Sequence, residues 1–272
     1  MSDDTDYTDV LYEKDGHVVT ITLNRPERRN GLTQQLLGYV ERYALEAEED
    51  DDVRVVLLKA AGEHFSVGMD WSSRDPRVSR SRFPEAAWRN WAMGHLLQMA
   101  KPSIAAIHGT CAGGGLAYAL ECDIRIAAED SRFATAYLRT GLPVVDGVAV
   151  MLPEAIGTSR ALEMLYTNRV IDAAEAERIG LVSRVVPAEQ LDAAVEELAE
   201  TIASGPPIAQ RITKHLVRTP ERRAYEEHLP YQLYAMHVNS KMARHDLEEG
   251  QNAFREKRKP QWQGLKKKKK KS

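Results

Sequence analysis

The apolar run Ser103-Ile104-Ala105-Ala106-Ile107 leads through His108-Gly109-Thr110-Cys111-Ala112 into three consecutive glycines, Gly113, Gly114 and Gly115, and then into a segment with helical spacing. This order reads as a buried strand that ends in a tight turn and continues as a helix. The first N–H groups of such a helix have no intrahelical acceptor, and the helix dipole puts its positive end there. Glycine has no Cβ, so the backbone can approach a ligand closely. The turn therefore suits a developing oxyanion, although the same string also serves an ordinary strand-to-helix connection. The spacing required for a dinucleotide fingerprint is missing from Gly-Gly-Gly-Leu-Ala-Tyr, and neither a P-loop nor a zinc spacing occurs elsewhere.

A second turn of the same character lies upstream. Asp52-Val53-Arg54-Val55-Val56-Leu57-Leu58-Lys59-Ala60 reads as a strand and runs into Gly62-Glu63-His64-Phe65-Ser66-Val67-Gly68-Met69-Asp70. With Asn24-Arg25-Pro26-Glu27-Arg28-Arg29-Asn30-Gly31 and Gly180-Leu181-Val182-Ser183-Arg184-Val185-Val186-Pro187, the two turns resemble the enoyl-CoA hydratase/isomerase (crotonase) superfamily. The resemblance extends from about residue 8 to residue 262, with the four motifs in order. It implies an α/β fold, a crotonase-like spiral of β-β-α turns with a C-terminal helical trimerisation region.

Local signals agree with that outline. Apolar residues alternate on both sides of Asp15-Gly16, the mark of a hairpin, and Thr33 is placed to cap a helix through Leu36, Leu37, Val40 and Leu45. From Ala188 onward the spacing is almost wholly helical. These patterns divide the chain into a spiral core over 1–195, a helical oligomerisation region over 196–262 and a lysine-rich disordered tail over 263–272. Removing the six charges of Lys266–Lys271 from the formal net charge of −3 leaves −9, so the tail is a solvated cationic string on an acidic body, and neither nucleic acid nor membrane is an expected partner. No apolar run reaches membrane-spanning length and no basic, apolar leader precedes the first strand, which makes the cytoplasm the expected location. Cys111 and Cys122 read as small buried side chains rather than a disulfide framework.

The resemblance also implies chemistry. In this superfamily two backbone N–H groups hold the thioester carbonyl of an acyl-CoA, here those of Met69 and Gly114, and so stabilise an enolate or tetrahedral oxyanion; one such donor is typically worth ~3 kcal/mol. Coenzyme A enters as part of the substrate, and no further cofactor is implied. Arg25, Arg28 and Arg29 fall where the family meets the nucleotide end of coenzyme A, Ser66 and Gly68 are further coenzyme A-binding candidates, and Phe254, Lys257 and Arg258 match a segment that often reaches a neighbouring subunit's coenzyme A. For each charged residue a solvated surface role is the alternative.

Two departures decide what reaction is expected. The family's hydratases carry two glutamates, where this chain has Ala117 and Tyr137, and neither supplies a carboxylate base at neutral pH. Asp146 is the replacement candidate, in a loop before an apolar helix, where it could face the site or cap the helix. Diketone hydrolases of the superfamily have their acid in register with Asp146; dienoyl-CoA isomerases and chlorobenzoyl-CoA dehalogenases use the register of Val145. Tyr137 and Trp88 extend the dehalogenase likeness, but Asn90 stands where those enzymes have a histidine. Trp71, Trp88, Trp91 and Tyr137 suggest a bulky acyl pocket, or ordinary core. His64, His95 and Glu121 are further candidate bases whose structural roles compete.

These readings converge on an acyl-CoA enzyme, a lyase or isomerase, that uses Asp146 as acid/base with Tyr137 as a hydrogen-bonding wall and assembles as a homotrimer or dimer of trimers. The alternatives are a carbon–carbon bond hydrolase, a dehalogenase-like acyl-CoA hydrolase, and a non-catalytic acyl-CoA-binding subunit.

Overall fold

The computed structural model of the chain describes residues 7–70, 94–140, 144, 146–218 and 241–264, with the backbone alone at 140, 254 and 255. Strands β1 (Val10–Asp15) and β2 (Val18–Leu23) are followed by helix α1 (Gln34–Glu49) and strand β3 (Val55–Ala60). After the short helix α2 (His95–Gln98) come β4 (Ser103–Ile107), β5 (Thr110–Ala112), α3 (Gly114–Glu121), β6 (Ile124–Ala128) and β7 (Arg132–Ala134). The chain continues through α4 (Val148–Ile156), α5 (Thr158–Thr167), β8 (Ile171–Asp172), α6 (Ala173–Arg178) and β9 (Arg184–Val186) to α7 (Leu191–Ala203), α8 (Pro207–Arg218) and α9 (Arg244–Glu256).

Six strands form one sheet in the order β1-β2-β3-β4-β6-β9, and β5, β7 and β8 form another. The hairpin β1–β2 is antiparallel, with Asp15 opposite Val18 across the Asp-Gly turn; the remaining pairs of the large sheet are parallel. The consecutive pairs β4–β5 and β6–β7 each give one strand to each sheet, so the chain coils between them as a spiral of β-β-α turns.

A strand turns alternate side chains to opposite faces, and β3 uses both. Val56 and Leu58 pack with Leu37, Val40 and Ala44 of α1, whereas Val55 and Leu57 pack with Val195 and Ala199 of α7. Thr33 caps α1 as its sequence suggests, its Oγ1 accepting the N–H of Leu36 at 3.1 Å. Leu45, expected on the apolar stripe of that helix, is instead 45% exposed, because the stripe passes through Ala44 and Ala47. Both cysteines are free and buried.

The proposed division at 195/196 falls inside α7, one continuous helix whose Leu191, Val195, Ala199 and Ala203 cover one face of the large sheet. The core therefore extends through Ala203. Beyond α9 the chain stays anchored to residue 264: Arg54 Nη2 donates to the carbonyl of Trp262 at 3.1 Å, and the N–H groups of Gln263 and Gly264 donate to the Asp246 carboxylate at 2.7 and 2.9 Å. The lysine run lies outside the described residues. No described helix is long and apolar enough to cross a membrane.

If α7 is core, Val195→Asp forces a carboxylate without a partner against the sheet and should cost about 3 kcal/mol or more. Chemical denaturation checks this, with the exposed Glu197→Asp as control. A change below about 0.5 kcal/mol, the range of surface substitutions, would make α7 a separable appendage.

Candidate active site

The site is built where the first turn meets the second. Asn30 organises the approach to the first. It is fully buried; its Oδ1 accepts the Arg25 N–H at 2.7 Å, and its Nδ2 donates to the carbonyls of Ala61 and His64 at 2.8 and 2.7 Å. This ties the segment after β2 to the segment after β3. Next in the chain, Leu32 bridges Met69: the Leu32 N–H donates to Gly68 O at 2.9 Å and the Asp70 N–H to Leu32 O at 2.9 Å. The turn is thereby held on both sides of Met69.

The second turn lies directly against it. Ser66 bridges Cys111, its N–H donating to Thr110 O at 3.0 Å and its carbonyl accepting the Ala112 N–H at 2.9 Å. Gly68 has φ +88°, and a Cβ there would sit 2.9 Å from Ala112 O and 3.2 Å from Gly114 N. A Cβ on Gly115 would sit 2.6 Å from Ser66 Cβ. Side chains at either position would drive the turns apart. The N–H groups of Met69 and Gly114 donate to no acceptor among the described residues. Gly114 opens α3, so its N–H is one that a helix leaves over.

Asp146 completes the group. It has φ 59° and Gly147 φ 72°, two successive left-handed residues before α4; Asp is one of the few side chains that tolerate this region. The N-cap of α4 is Gly147, so Asp146 is not the cap. Its Oδ2 instead accepts the Tyr137 hydroxyl at 3.1 Å and lies 3.9 Å from the position of a Cβ on Gly114. Burial first, and then the Asp146 carboxylate, push the Tyr137 phenol far above its ordinary value. At neutral pH Tyr137 is a permanent donor to Asp146.

The remaining candidates separate clearly. Ser66 is fully buried, its hydroxyl donating to Asn30 O at 2.7 Å and accepting the Gly68 N–H at 3.2 Å, so its side chain braces the turn from inside rather than facing a ligand. Arg25 is likewise engaged internally: its side chain, 12% exposed, pairs with Asp70 at 3.3 Å and Asp9 at 3.1 Å and donates to Gly31 O. Arg28 and Arg29 are exposed, without side-chain partners among the described residues, on the 3-10 turn Pro26–Arg28 and its left-handed cap. Lys257 is exposed just beyond α9. The side chain of Phe254, together with Trp71, Trp88, Asn90 and Trp91, lies outside what the structure describes.

His64 Nδ1 accepts the Thr110 N–H at 3.3 Å and is structural. His95 pairs with Glu41, a buried acid on α1 that the helical pattern hid. Ala117 is fully buried, and Glu121, one turn further along α3, is buried too, with its carboxylate accepting the Gly94 N–H.

The enoyl-CoA hydratase/isomerase family profile matches residues 13–266. Among curated proteins, the chain is 35% identical over 256 residues to the probable enoyl-CoA hydratase echA8 of Mycobacterium tuberculosis, covering 94% of this chain and 98% of that one. Among solved structures, the enoyl-CoA hydratase of Bacillus anthracis superposes with a TM-score of 0.85 at 33% identity, covering 94% of this chain and all of that one. Enoyl-CoA hydratase subunit I of Geobacillus kaustophilus does so with a TM-score of 0.85 at 30% identity, covering 96% of this chain and all of that one. The two interlocked turns thus stand in a chain that is related to enoyl-CoA hydratases over nearly its whole length: it belongs to the enoyl-CoA hydratase/isomerase family.

Proposed function

We propose that this enzyme binds an acyl-CoA, holds the thioester oxygen with the N–H groups of Met69 and Gly114, and moves a proton with Asp146. The observation that carries this reading is the meeting of three features: Gly68 against Gly114, two N–H groups without internal acceptors, and the Asp146 carboxylate beside Gly114. In the proton-transfer step Asp146 takes a proton from the carbon next to, or conjugated with, the thioester carbonyl. The C–H electron pair moves into the enolate, and the negative oxygen is held by the two N–H groups. Return of the proton, to the same or another carbon, restores the carboxylate.

Tyr137 supports this step from behind by donating to Asp146 Oδ2, which fixes the carboxylate's direction. Ala117 and Tyr137 stand at the family's two glutamate positions, and among the described residues Asp146 is the carboxylate found beside Gly114, where a hydratase deploys two glutamates. One carboxylate suits isomerisation or a lyase step through an enolate better than addition of water to a straight-chain enoyl-CoA. Among the described residues, Arg28 and Arg29 are exposed cations suited to the nucleotide phosphates. The acyl-CoA brings its own coenzyme A, and the reaction as read here calls for no other cofactor.

Asp146→Asn keeps the size of the side chain and can still accept the Tyr137 hydroxyl, but removes the base. It should fold and bind acyl-CoAs nearly as the parent does, while turnover falls on the order of 10²-fold or more, the scale of general acid–base catalysis. Mass spectrometry over a panel of aliphatic and aromatic acyl-CoAs reads this. Undiminished turnover would remove Asp146 from the mechanism; binding without turnover by the parent would favour the acyl-CoA-binding subunit.

Self-association is part of the same reading. Val150, Tyr166 and Val170 on and after α4 and α5 are 61%, 69% and 56% exposed, and Val217, Met242 and Leu247 are also exposed toward the C-terminal end. Exposed apolar side chains such as these are suited to be covered between subunits of a trimer or a dimer of trimers. Light scattering at micromolar concentration should give three or six times the 30.5 kDa chain mass. A stable monomer would contradict it.

A further inference from the structure

Arg25 follows the end of β2 by two residues and is fixed at the start of the turn that leads to Gly31. Its N–H donates to Asn30 Oδ1 at 2.7 Å, and its carbonyl accepts the N–H groups of Arg28 and Asn30 at 3.0 and 2.9 Å. The β1–β2 hairpin brings Asp9 alongside: the Asp9 carbonyl accepts the Asn24 N–H at 2.7 Å, and its carboxylate pairs with Arg25 Nε at 3.1 Å. A guanidinium is a planar fork of donors that keeps its charge in proteins. Here 12% of the side chain is exposed, so the fork is spent inside the protein.

The rest of that fork reaches the two segments that hold Met69. Arg25 Nη1 donates to the carbonyl of Gly31 at 2.5 Å, and Nη1 and Nη2 both donate to Asp70 Oδ2 at 3.3 Å. Gly31 precedes Leu32 and Asp70 follows Met69, so the guanidinium ties together the two segments joined by the Leu32–Met69 bridge. They are packed closely, for a Cβ on Gly31 would sit 3.2 Å from Asp70 Cβ. Asp70 also places a negative charge one residue from the Met69 N–H, with 12% of its side chain exposed. A carboxylate so placed opposes negative charge on an oxygen held by that N–H, and the Arg25 cation offsets it.

We infer that Arg25 is a positioning residue for the oxyanion donor: its guanidinium holds Gly31 and Asp70 so that the Met69 N–H keeps its direction, and it offsets the Asp70 charge beside that donor. The inference rests on the reading of Met69 and Gly114 as the clamp on the thioester oxygen. It takes Arg25 out of the group that meets the nucleotide phosphates, since a phosphate arriving there would also meet the carboxylates of Asp9 and Asp70. That task then falls to the exposed Arg28 and Arg29.

Two ligands separate this role from a phosphate contact: hexanoyl-CoA labelled with carbon-13 at the carbonyl, and adenosine bisphosphate, which carries nucleotide phosphates without a thioester. In Arg25→Met, which keeps the stem but loses the charge and the fork, the infrared shift of the bound carbonyl should fall to about half of the parent's or less, because one of two donors is misdirected. Calorimetry should give adenosine bisphosphate an unchanged affinity. A merely structural role would lower the denaturation midpoint and leave the carbonyl frequency of the folded complex unmoved. Should Arg25→Met fail to fold, Arg25→Lys carries the test: it keeps the charge but not the fork, and its shift should fall below the parent's. A shift that the variant leaves undiminished, or a loss of adenosine bisphosphate affinity without a change in shift, overturns the inference and spares the clamp. A parent protein that does not bind hexanoyl-CoA, or binds it without a shift, would sink the clamp and the inference together.

Discussion

Everything at the site depends on the contact between two glycine turns. Gly68 lies where any Cβ would strike Ala112 O and Gly114 N, and Gly115 where one would strike Ser66, so the absence of side chains at these positions lets two backbones touch. The Ser66–Cys111 and Leu32–Met69 bridges fix that contact by hydrogen bonding, and the parallel strands β3 and β4 deliver the two turns from the same end of one sheet. Because the bonds of the turns bypass the N–H groups of Met69 and Gly114, both remain available to a ligand. Preorganised donors of this kind need no rearrangement as charge develops, which is why they stabilise a transition state more than a ground state.

Around this fixed pair the acids have been redistributed. Ala117 removes a carboxylate from the first turn of α3, and Tyr137 places a phenol whose proton is held firmly by burial and by Asp146. Asp146 is brought in by a left-handed pair, Asp146-Gly147, that starts α4 with a glycine cap and leaves the carboxylate free to turn toward Tyr137. Elsewhere Glu121 on α3 and Glu41 on α1 are buried acids, Glu41 paired with His95. On the proposed reading, a site in which Asp146 is the carboxylate beside Gly114 among the described residues is chemically different from one with two carboxylates clasping a water.

Much of this was legible in the sequence because it depends on local rules. The Asp15-Gly16 hairpin, the Thr33 cap, the strands leading into both turns and the glycines themselves each follow from neighbours along the chain. What was not legible depends on partners far away. Arg25 reads as a free guanidinium until Asp9 and Asp70 are brought to it, and Ser66 as a ligand contact until Asn30 covers it. Asp146 was ambiguous between cap and acid because both fit a loop before a helix; only the backbone showed Gly147 at the cap. Glu41 was hidden by its place on an otherwise amphipathic helix, although a charged residue at a position in step with Leu37 and Ala44 was a usable signal. The break at 195/196 falls within a helix because apolar spacing continues unbroken through α7 and does not report which surface it covers.

The central claim is that the N–H groups of Met69 and Gly114 together polarise a thioester carbonyl, and the infrared carbonyl band of a carbon-13-labelled acyl-CoA bound to the protein reads that polarisation directly. Benzoyl-CoA and hexanoyl-CoA labelled at the carbonyl carbon are suitable probes. The account predicts a shift to lower frequency on binding to the parent protein, largely abolished in Gly68→Ala, where the new Cβ pushes the two turns apart. A bound thioester whose carbonyl band stays at its solution frequency, or whose shift survives Gly68→Ala undiminished, would contradict it.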